Sequence, residues 1–366
     1  MKKTIGIILF ISSFCFAQPV QFPNIEFAPK KYVCYKPGET IKIDGKLDES
    51  AWINTEWTDD FVDIEGDAKP LPRFRTRAKM LWDEKYFYVA AELSEPNIWG
   101  TLKNRDDIIF YDNDFEIFID FDGDTHGYCE FEMNALNTVW DLLLIQPYRD
   151  INNAALHGFD IKGSKSGVNI NGTLNQPGDK DNYWTIEVAF PWDSFKEISA
   201  LPLPPKDTDQ IRINFSRVEW QTEVVDGKTK KQINPATNKP YPEDNWVWSP
   251  QGIVNMHYPE MWGYVQFANE VAGSKKISFI DKDEEAVKWF LRKIYYAERI
   301  YFQENGKFTT DLNDLGLELS PVNGFVFPPI IECTASMFES YILSKDGSKR
   351  IHINNSGLTW ISLLKK

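Results

Sequence analysis

The sequence predicts an all-β fold, an antiparallel β-sandwich followed by a small α+β C-terminal domain. Three observations predict it. Between Tyr32 and Phe267, apolar and polar residues alternate with period two over many short runs, the spacing of half-buried strands. Clusters of Pro, Gly, Asp and Asn separate the runs, and helical periods are few. After Phe267 the period changes to that of an amphipathic helix.

The first run, IKIDGKLDESAW, reads as a short strand, a turn at Asp44-Gly45, and the segment LDESAW. RTRAKMLWDEKYFYVAAELSE reads as two strands around a turn at Asp83-Glu84-Lys85. Ala78, Met80 and Trp82 fall on one face of the first, and Phe87, Val89 and Ala91 on one face of the second. DNDFEIFIDFDGDTHGYCEFEMN, from Asp112 to Asn134, reads as a hairpin. Phe115, Ile117, Ile119, Cys129, Phe131 and Met133 form its apolar face, and Glu116, Phe118, Asp120, Glu130, Glu132 and Asn134 the opposite one, taken here as an open strand face. GVNINGTLN, YWTIEVAFPW, IRINFSRVEW and WGYVQF supply later strands. WDSFKEISALPLP reads as a short helix ending before its prolines, and the polar stretch from Trp220 to Trp246 as a long surface loop. Beyond it, Val287, Phe290, Leu291, Ile294, Tyr295 and Ala297 mark a helix, with Asp283 as its N-cap and Gly306 near its C-terminus. A strand meander follows.

The N-terminus, MKKTIGIILFISSFCFAQ, has a basic start, an apolar stretch and a small residue at Ala17. It reads as a signal peptide over residues 1–17. The protein is then expected to be exported, periplasmic or extracellular, with no transmembrane span. The net charge of −14, more negative still once Lys2 and Lys3 are removed, disfavours nucleic acid and anionic membranes. Three cysteines remain, Cys34, Cys129 and Cys333. They permit at most one bridge among themselves and carry no zinc spacing. Aromatics make up 14% of the chain, with 13 Trp, enough to fill a core and still present ring faces to a ligand such as a sugar.

IDGKLDESAW, AKMLWDEKYFYVAAEL, DNDFEIFIDFDGDTHGYCEFEMNALNTVWD and NMHYPEMWGYVQF, in this order, resemble carbohydrate-binding module family 9 over residues 35–267. The resemblance implies an antiparallel sandwich over residues 18–271, sugar binding, structural calcium and no catalysis. Residues 272–366 are left as a helix-plus-strand domain. Modules of this family are often attached to xylanases, which points to xylan and polysaccharide breakdown; the remaining residues leave no room for a glycosidase domain within this chain.

By resemblance, Glu116 and Asn134 match ligand-contacting residues. Glu132 stands where the family has arginine. The family's two sugar-stacking tryptophans fall at Phe110 or Tyr111 and near Met256 and His257. Trp99, Trp140, Trp246 or Trp248 could replace them as a stacking face. The expected glycan-binding set is therefore Trp99, Phe110, Tyr111, Glu116, Glu132, Asn134 and His257. Asp120, Asp122 and Asp124 alternate in a Gly-containing turn, a donor set for calcium, although the EF-hand pattern is not met. Asp and Gly are also favoured in such a turn for backbone reasons alone. Two other classes compete: a cell-envelope interaction protein with a partner on the C-terminal domain, and a glycoside hydrolase using Glu116 with Glu130 or Glu132. An open strand face lacks the apolar pocket that a raised-pKa acid needs, which counts against the hydrolase.

Overall fold

The computed structural model describes residues 20–364; the expected signal peptide lies outside them. Its strands are β1 (Lys31–Lys36), β2 (Val62–Asp63), β3 (Thr76–Trp82), β4 (Tyr86–Ser94), β5 (Asp114–Asp120), β6 (Tyr128–Asn134), β7 (Val139–Leu144), β8 (Ala155–Leu156), β9 (Lys165–Asn171), β10 (Tyr183–Pro191) and β11 (Gln210–Glu219). They continue with β12 (Thr222–Val225), β13 (Lys228–Lys231), β14 (Ile233–Asn234), β15 (Lys239–Pro240), β16 (Asp244–Val247), β17 (Gly263–Val271), β18 (Ile330–Cys333), β19 (Phe338–Leu343), β20 (Lys349–Asn354) and β21 (Thr359–Leu363). The helices are α1 (Ser50–Ile53) and α2 (Asp283–Asn305).

Two layers face each other. One has the order β8-β7-β6-β5-β11-β17-β1, with β16 on the C-terminal half of β11 and β2 beyond it. The other is β3-β4-β10-β9. β1 is the seam: it runs parallel to β17, and its ladder pairing with β3 is limited to Tyr35 opposite Leu81. The predicted alternation sets the core. Phe115, Ile117, Ile119, Cys129, Phe131, Met133, Ile213 and Phe215 from the first layer meet Ala78, Met80, Trp82, Phe87, Val89, Ala91, Ile186 and Val188 from the second. Period two leaves the even-numbered residues of β5 and β6 on the outer face.

Several expectations are corrected. Ile41 to Ile43 joins no ladder, and IDGKLDESAW works as a clamp instead. Gly45 (φ +82°) passes so close to β9 that a Cβ would lie 2.4 Å from the Val168 carbonyl carbon. Its N–H donates to Glu187 Oε2, and the Trp52 indole N–H of α1 donates to Glu187 Oε1. WDSFKEISALPLP forms only a single 3₁₀ turn at Trp192–Phe195, which ends well before Pro202. The polar stretch after Trp220 folds into the small hairpins β12–β13 and β14–β15, where Asp226-Gly227 supplies the positive φ of the first turn. All three cysteines are free: Cys34 and Cys129 are buried in the sandwich core, and Cys333 lies apart on β18.

α2 packs on the antiparallel meander β18-β19-β20-β21. Lys282, not Asp283, is the N-cap residue and makes no side-chain cap. Asp283, Glu284 and Glu285 occupy the first turn, where they complement the helix dipole. Gly306 closes the helix in the left-handed conformation, as expected. The core under α2 also takes in Val20, Tyr258 and Met261 from outside the C-terminal segment. Polar contacts tie α2 to the sandwich: Arg212 to Glu285 (2.9 Å), Arg299 to Asp150 (2.8 Å), and Arg292 Nη2 donating to Thr125 Oγ1 (3.0 Å) in the β5–β6 turn. Among the described residues no helix is long and apolar enough to cross a membrane.

Candidate functional site

The site is built on the outer face of β5, β6 and β7. Pairing sets Glu116 opposite Glu132, Phe118 opposite Glu130, and Glu132 opposite Trp140. The chain after β7 (148–153) and the segment before β17 (254–257) rise beside these strands and turn the face into a cleft of about 580 Å³. Glu116, Glu130 and Glu132 line its floor, and Phe110, Trp140, Tyr148 and His257 are among the aromatic groups around it. The expectation of an open strand face is therefore corrected: Glu116 is 5% exposed and Glu132 1%. Loops that carry no periodic signal enclose it.

Four carboxyl groups, Glu116, Glu130, Glu132 and Glu243, line the cleft, and Asp114 lies next to two of them. Asp114, Glu116 and Glu132 bring oxygens within 4.8 Å of one another. The Val218 N–H donates to Asp114 Oδ1, while Asp114 Oδ2 is buried with no hydrogen-bond partner. The Phe110 N–H donates to Glu132 Oε2 at 3.1 Å. Burial pushes the Glu116 carboxyl up to about 7, with Glu243 adding to it. Burial and then Glu116 raise Glu130 to about 8. Glu132 is raised well above the usual carboxylate range by burial and by Glu116, Glu130 and Asp114. His257 hydrogen-bonds Tyr128 Oη through Nδ1 at 2.9 Å, and burial together with Arg149 holds its pKa down to about 3, so its ring is neutral. Trp140 lines the same cleft, and its ring lies parallel to that of His157, the centroids 6.0 Å apart.

Of the expected glycan-binding residues, the cleft brings together Phe110, Glu116, Glu132 and His257. Asn134 lies outside it with its side chain fully used: Nδ2 donates to Leu102 O and Asp112 Oδ2, and Oδ1 accepts from the Leu136 and Thr138 N–H groups. Trp99 is buried against Val218 and Trp220, with its indole N–H unpaired. Tyr111 is exposed beside Phe110, outside the cleft lining. Trp246 and Trp248 belong to the core. Trp140 supplies the aromatic face that the sequence offered only as one of several. Glu130 was legible from alternation, whereas Tyr148 and Glu243 sit on segments without pattern.

Asp120, Asp122 and Asp124 also bring oxygens within 4.8 Å of one another. Asp120 accepts the Gly123 and Thr125 N–H groups, Asp124 the His126 N–H and Asp122 the Ala200 N–H, so each carboxylate also shapes the backbone. Lys288 Nζ donates to Gly123 O at 3.1 Å, beside the same turn.

Comparison with known families finds a match over residues 43–266 to the family described as "Carbohydrate family 9 binding domain-like". Comparison with curated proteins gives no match. Among solved structures, the chain is similar to a candidate carbohydrate-binding protein from Bacteroides uniformis (15% identity, 66% of this chain and 100% of that one, TM-score 0.48). It is also similar to a family 9 module from Caldicellulosiruptor kristjanssonii, solved with cellotriose (16% identity, 69% and 100%, TM-score 0.41) and with glucose (16%, 68% and 100%, 0.42). With its β-sandwich and a match that spans most of that sandwich, the chain belongs to the carbohydrate family 9 binding domain-like family.

Proposed function

We propose that this protein is an exported, non-catalytic glycan-binding protein and that the sugar lies in the cleft over β5, β6 and β7. The observation that carries the reading is the pairing, in one 580 Å³ cleft, of carboxyl groups on the floor with the Trp140 platform beside them. A pyranose presents C–H groups to an aromatic face and hydroxyls at its rim, and carboxyl oxygens hydrogen-bond those hydroxyls. The C. kristjanssonii module, solved with cellotriose and glucose, makes cello-oligosaccharides the first ligands to try. Affinity electrophoresis against immobilised plant and microbial glycans tests the reading. Retardation by at least one glycan is expected, and Trp140→Ala should weaken it about 30-fold, on the order of 2 kcal/mol. Retardation by no glycan, or an unchanged Trp140→Ala variant, contradicts it.

Raised carboxyl pKa values also suit general acid catalysis. A glycosidase needs two carboxyls flanking the scissile bond, about 5–9 Å apart. Glu116 and Glu132 instead stand side by side on paired strands, on one floor. No hydrolysis products are expected from oligosaccharides that bind.

The hard carboxylate oxygens of Asp120, Asp122 and Asp124 fit calcium, and this turn is the proposed place for it. The turn contacts α2 through Lys288 and Arg292, so an ion held there would stabilise both elements. Millimolar calcium is expected to raise the melting temperature by a few degrees over a chelator, and the Asp122→Asn variant to lose that increment. Identical melting curves would remove calcium from this turn.

A further inference from the structure

We propose that the cleft prefers a cationic sugar, one bearing a protonated amine, over a neutral sugar of the same backbone. This rests on the reading of the cleft as a sugar site. What carries it is a contrast in how the protein treats its clustered carboxylates. At three other places where acids meet, a cation stands among them. Arg105 pairs with Asp106, Asp141 and Asp160. Arg217 bridges the buried Glu95 and Glu219 at 2.9 and 2.8 Å. Glu260 and Asp150, deep under α2, have Arg149 and Arg299 at 2.9 and 2.8 Å. In the turn of Asp120, Asp122 and Asp124, proposed above for calcium, no ion pair forms among the described residues: Lys288 pairs with Glu285 and donates there only to the Gly123 carbonyl.

The cleft departs from those three pairings. Glu116, Glu130 and Glu132 line it, a buried Asp114 oxygen lies within 4.8 Å of the Glu116 and Glu132 oxygens, and among the described residues no ion pair reaches any of the four. No Lys or Arg lines the cleft, and its one imidazole, His257, is held neutral. The Lys231 ammonium lies over the Trp220 ring at 3.2 Å, outside the lining. Asp114 Oδ2, fully buried at the edge of the group, has no donor at all. Burying several carboxyl groups together without a counter-charge is costly. A positive guest removes that cost.

Size and lining decide which cation. The Asp114, Glu116 and Glu132 oxygens lie close enough for a bare ion, but such an ion would leave most of the cleft unfilled. The cleft also carries Phe110, Trp140 and Tyr148, which suit an organic body. An ammonium group offers three donors, enough to engage Glu116, Glu130 and Glu132 while the sugar ring rests on Trp140.

Calorimetric titration with three β-1,4-linked disaccharides that differ only in the group at carbon 2 tests the proposal: glucosamine disaccharide with free amines, its N-acetylated form, and cellobiose. At about pH 6 the amine is protonated; its charge beside Glu116, Glu130 and Glu132 favours their ionised forms, so that binding releases protons from the cleft, and the amine form should bind at least about tenfold more tightly than cellobiose. That advantage should shrink in high salt and in the Glu132→Gln and Glu116→Gln variants. Cellobiose or the acetylated sugar binding as well as the amine overturns the preference but leaves the cleft a neutral-sugar site. Displacement of the amine sugar by stoichiometric calcium also overturns it and makes the cluster a metal site. If none of the three binds, nor any longer glycan, the sugar reading itself fails. The salt dependence of the unaltered protein keeps the test open if either variant does not fold.

Discussion

Glu260→Ala is expected to cost about 3–5 kcal/mol of unfolding free energy, because it strips the partner from buried arginine. Glu260 is 4% exposed. Its carboxylate pairs with Arg149 at 2.9 Å, accepts the Tyr296 hydroxyl and lies 3.9 Å from Arg292. Burial opposes its ionisation, yet Arg149 and Arg292 hold its pKa down to about 2. Arg149 is itself 2% exposed, stacks on Tyr258 and donates to the His257 carbonyl at 3.0 Å. Removing Glu260 leaves that charge buried and breaks the polar joint between the sandwich and α2. Glu260→Gln, which keeps a hydrogen-bond acceptor, should lose less. Denaturant unfolding followed by circular dichroism measures both. A loss below about 1 kcal/mol for Glu260→Ala would mean that the joint does not hold α2 in place.

Stability should also fall as pH rises from about 5 to 8, by a few kcal/mol. Glu116 and Glu130 take up protons near 4.5 when unfolded, but near 7 and 8 in the folded cleft. Across that window the folded state holds more protons than the unfolded chain, so each step up in pH favours unfolding. Glu187, about 7, and Glu219, about 8, act in the same sense. His126 and His257, held neutral by burial at about 4 and about 3, oppose it only below pH 6.5. Glu260 and Glu285, both depressed to about 2, contribute stability that is lost as pH falls below 4.5. The melting temperature should therefore peak near pH 5. Glu130→Gln removes a carboxyl that must ionise in the cleft, so it should raise the melting temperature at pH 8 and flatten the slope. A melting temperature that climbs steadily from pH 5 to 8 would contradict the picture of an acidic, uncompensated cleft. Stabilisation together with weaker ligand binding is the signature of a functional site kept at a cost to the fold.

The two faces of β5 and β6 could be read from the sequence because period two assigns every second residue to the core. Phe115, Ile117 and Ile119 had to point one way, and Glu116 the other. The cleft could not be read in the same way. Its walls, Tyr148 and the 254–257 segment, come from irregular chain whose position depends on contacts distant in sequence, such as Arg149 with Glu260. Asn134 illustrates the converse. It shares a face with Glu132, but the register sets it at the strand end, where turn and loop backbone groups consume its amide. The short run before Gly45 alternates like a strand, yet the glycine's close approach to β9 and the Glu187 clamp decide its conformation. Alternation fixes which way a side chain points, and long-range packing decides whether it meets water, a neighbour or a ligand.

A crystal structure of the protein soaked with the disaccharide that binds most tightly tests the central claim most directly. The sugar is predicted to lie with its ring against Trp140 and its polar groups on Glu116, Glu130 and Glu132, beneath Tyr148 and His257. Sugar bound elsewhere, on the β12–β13 hairpin or the C-terminal sheet, with the cleft holding only water, would contradict it.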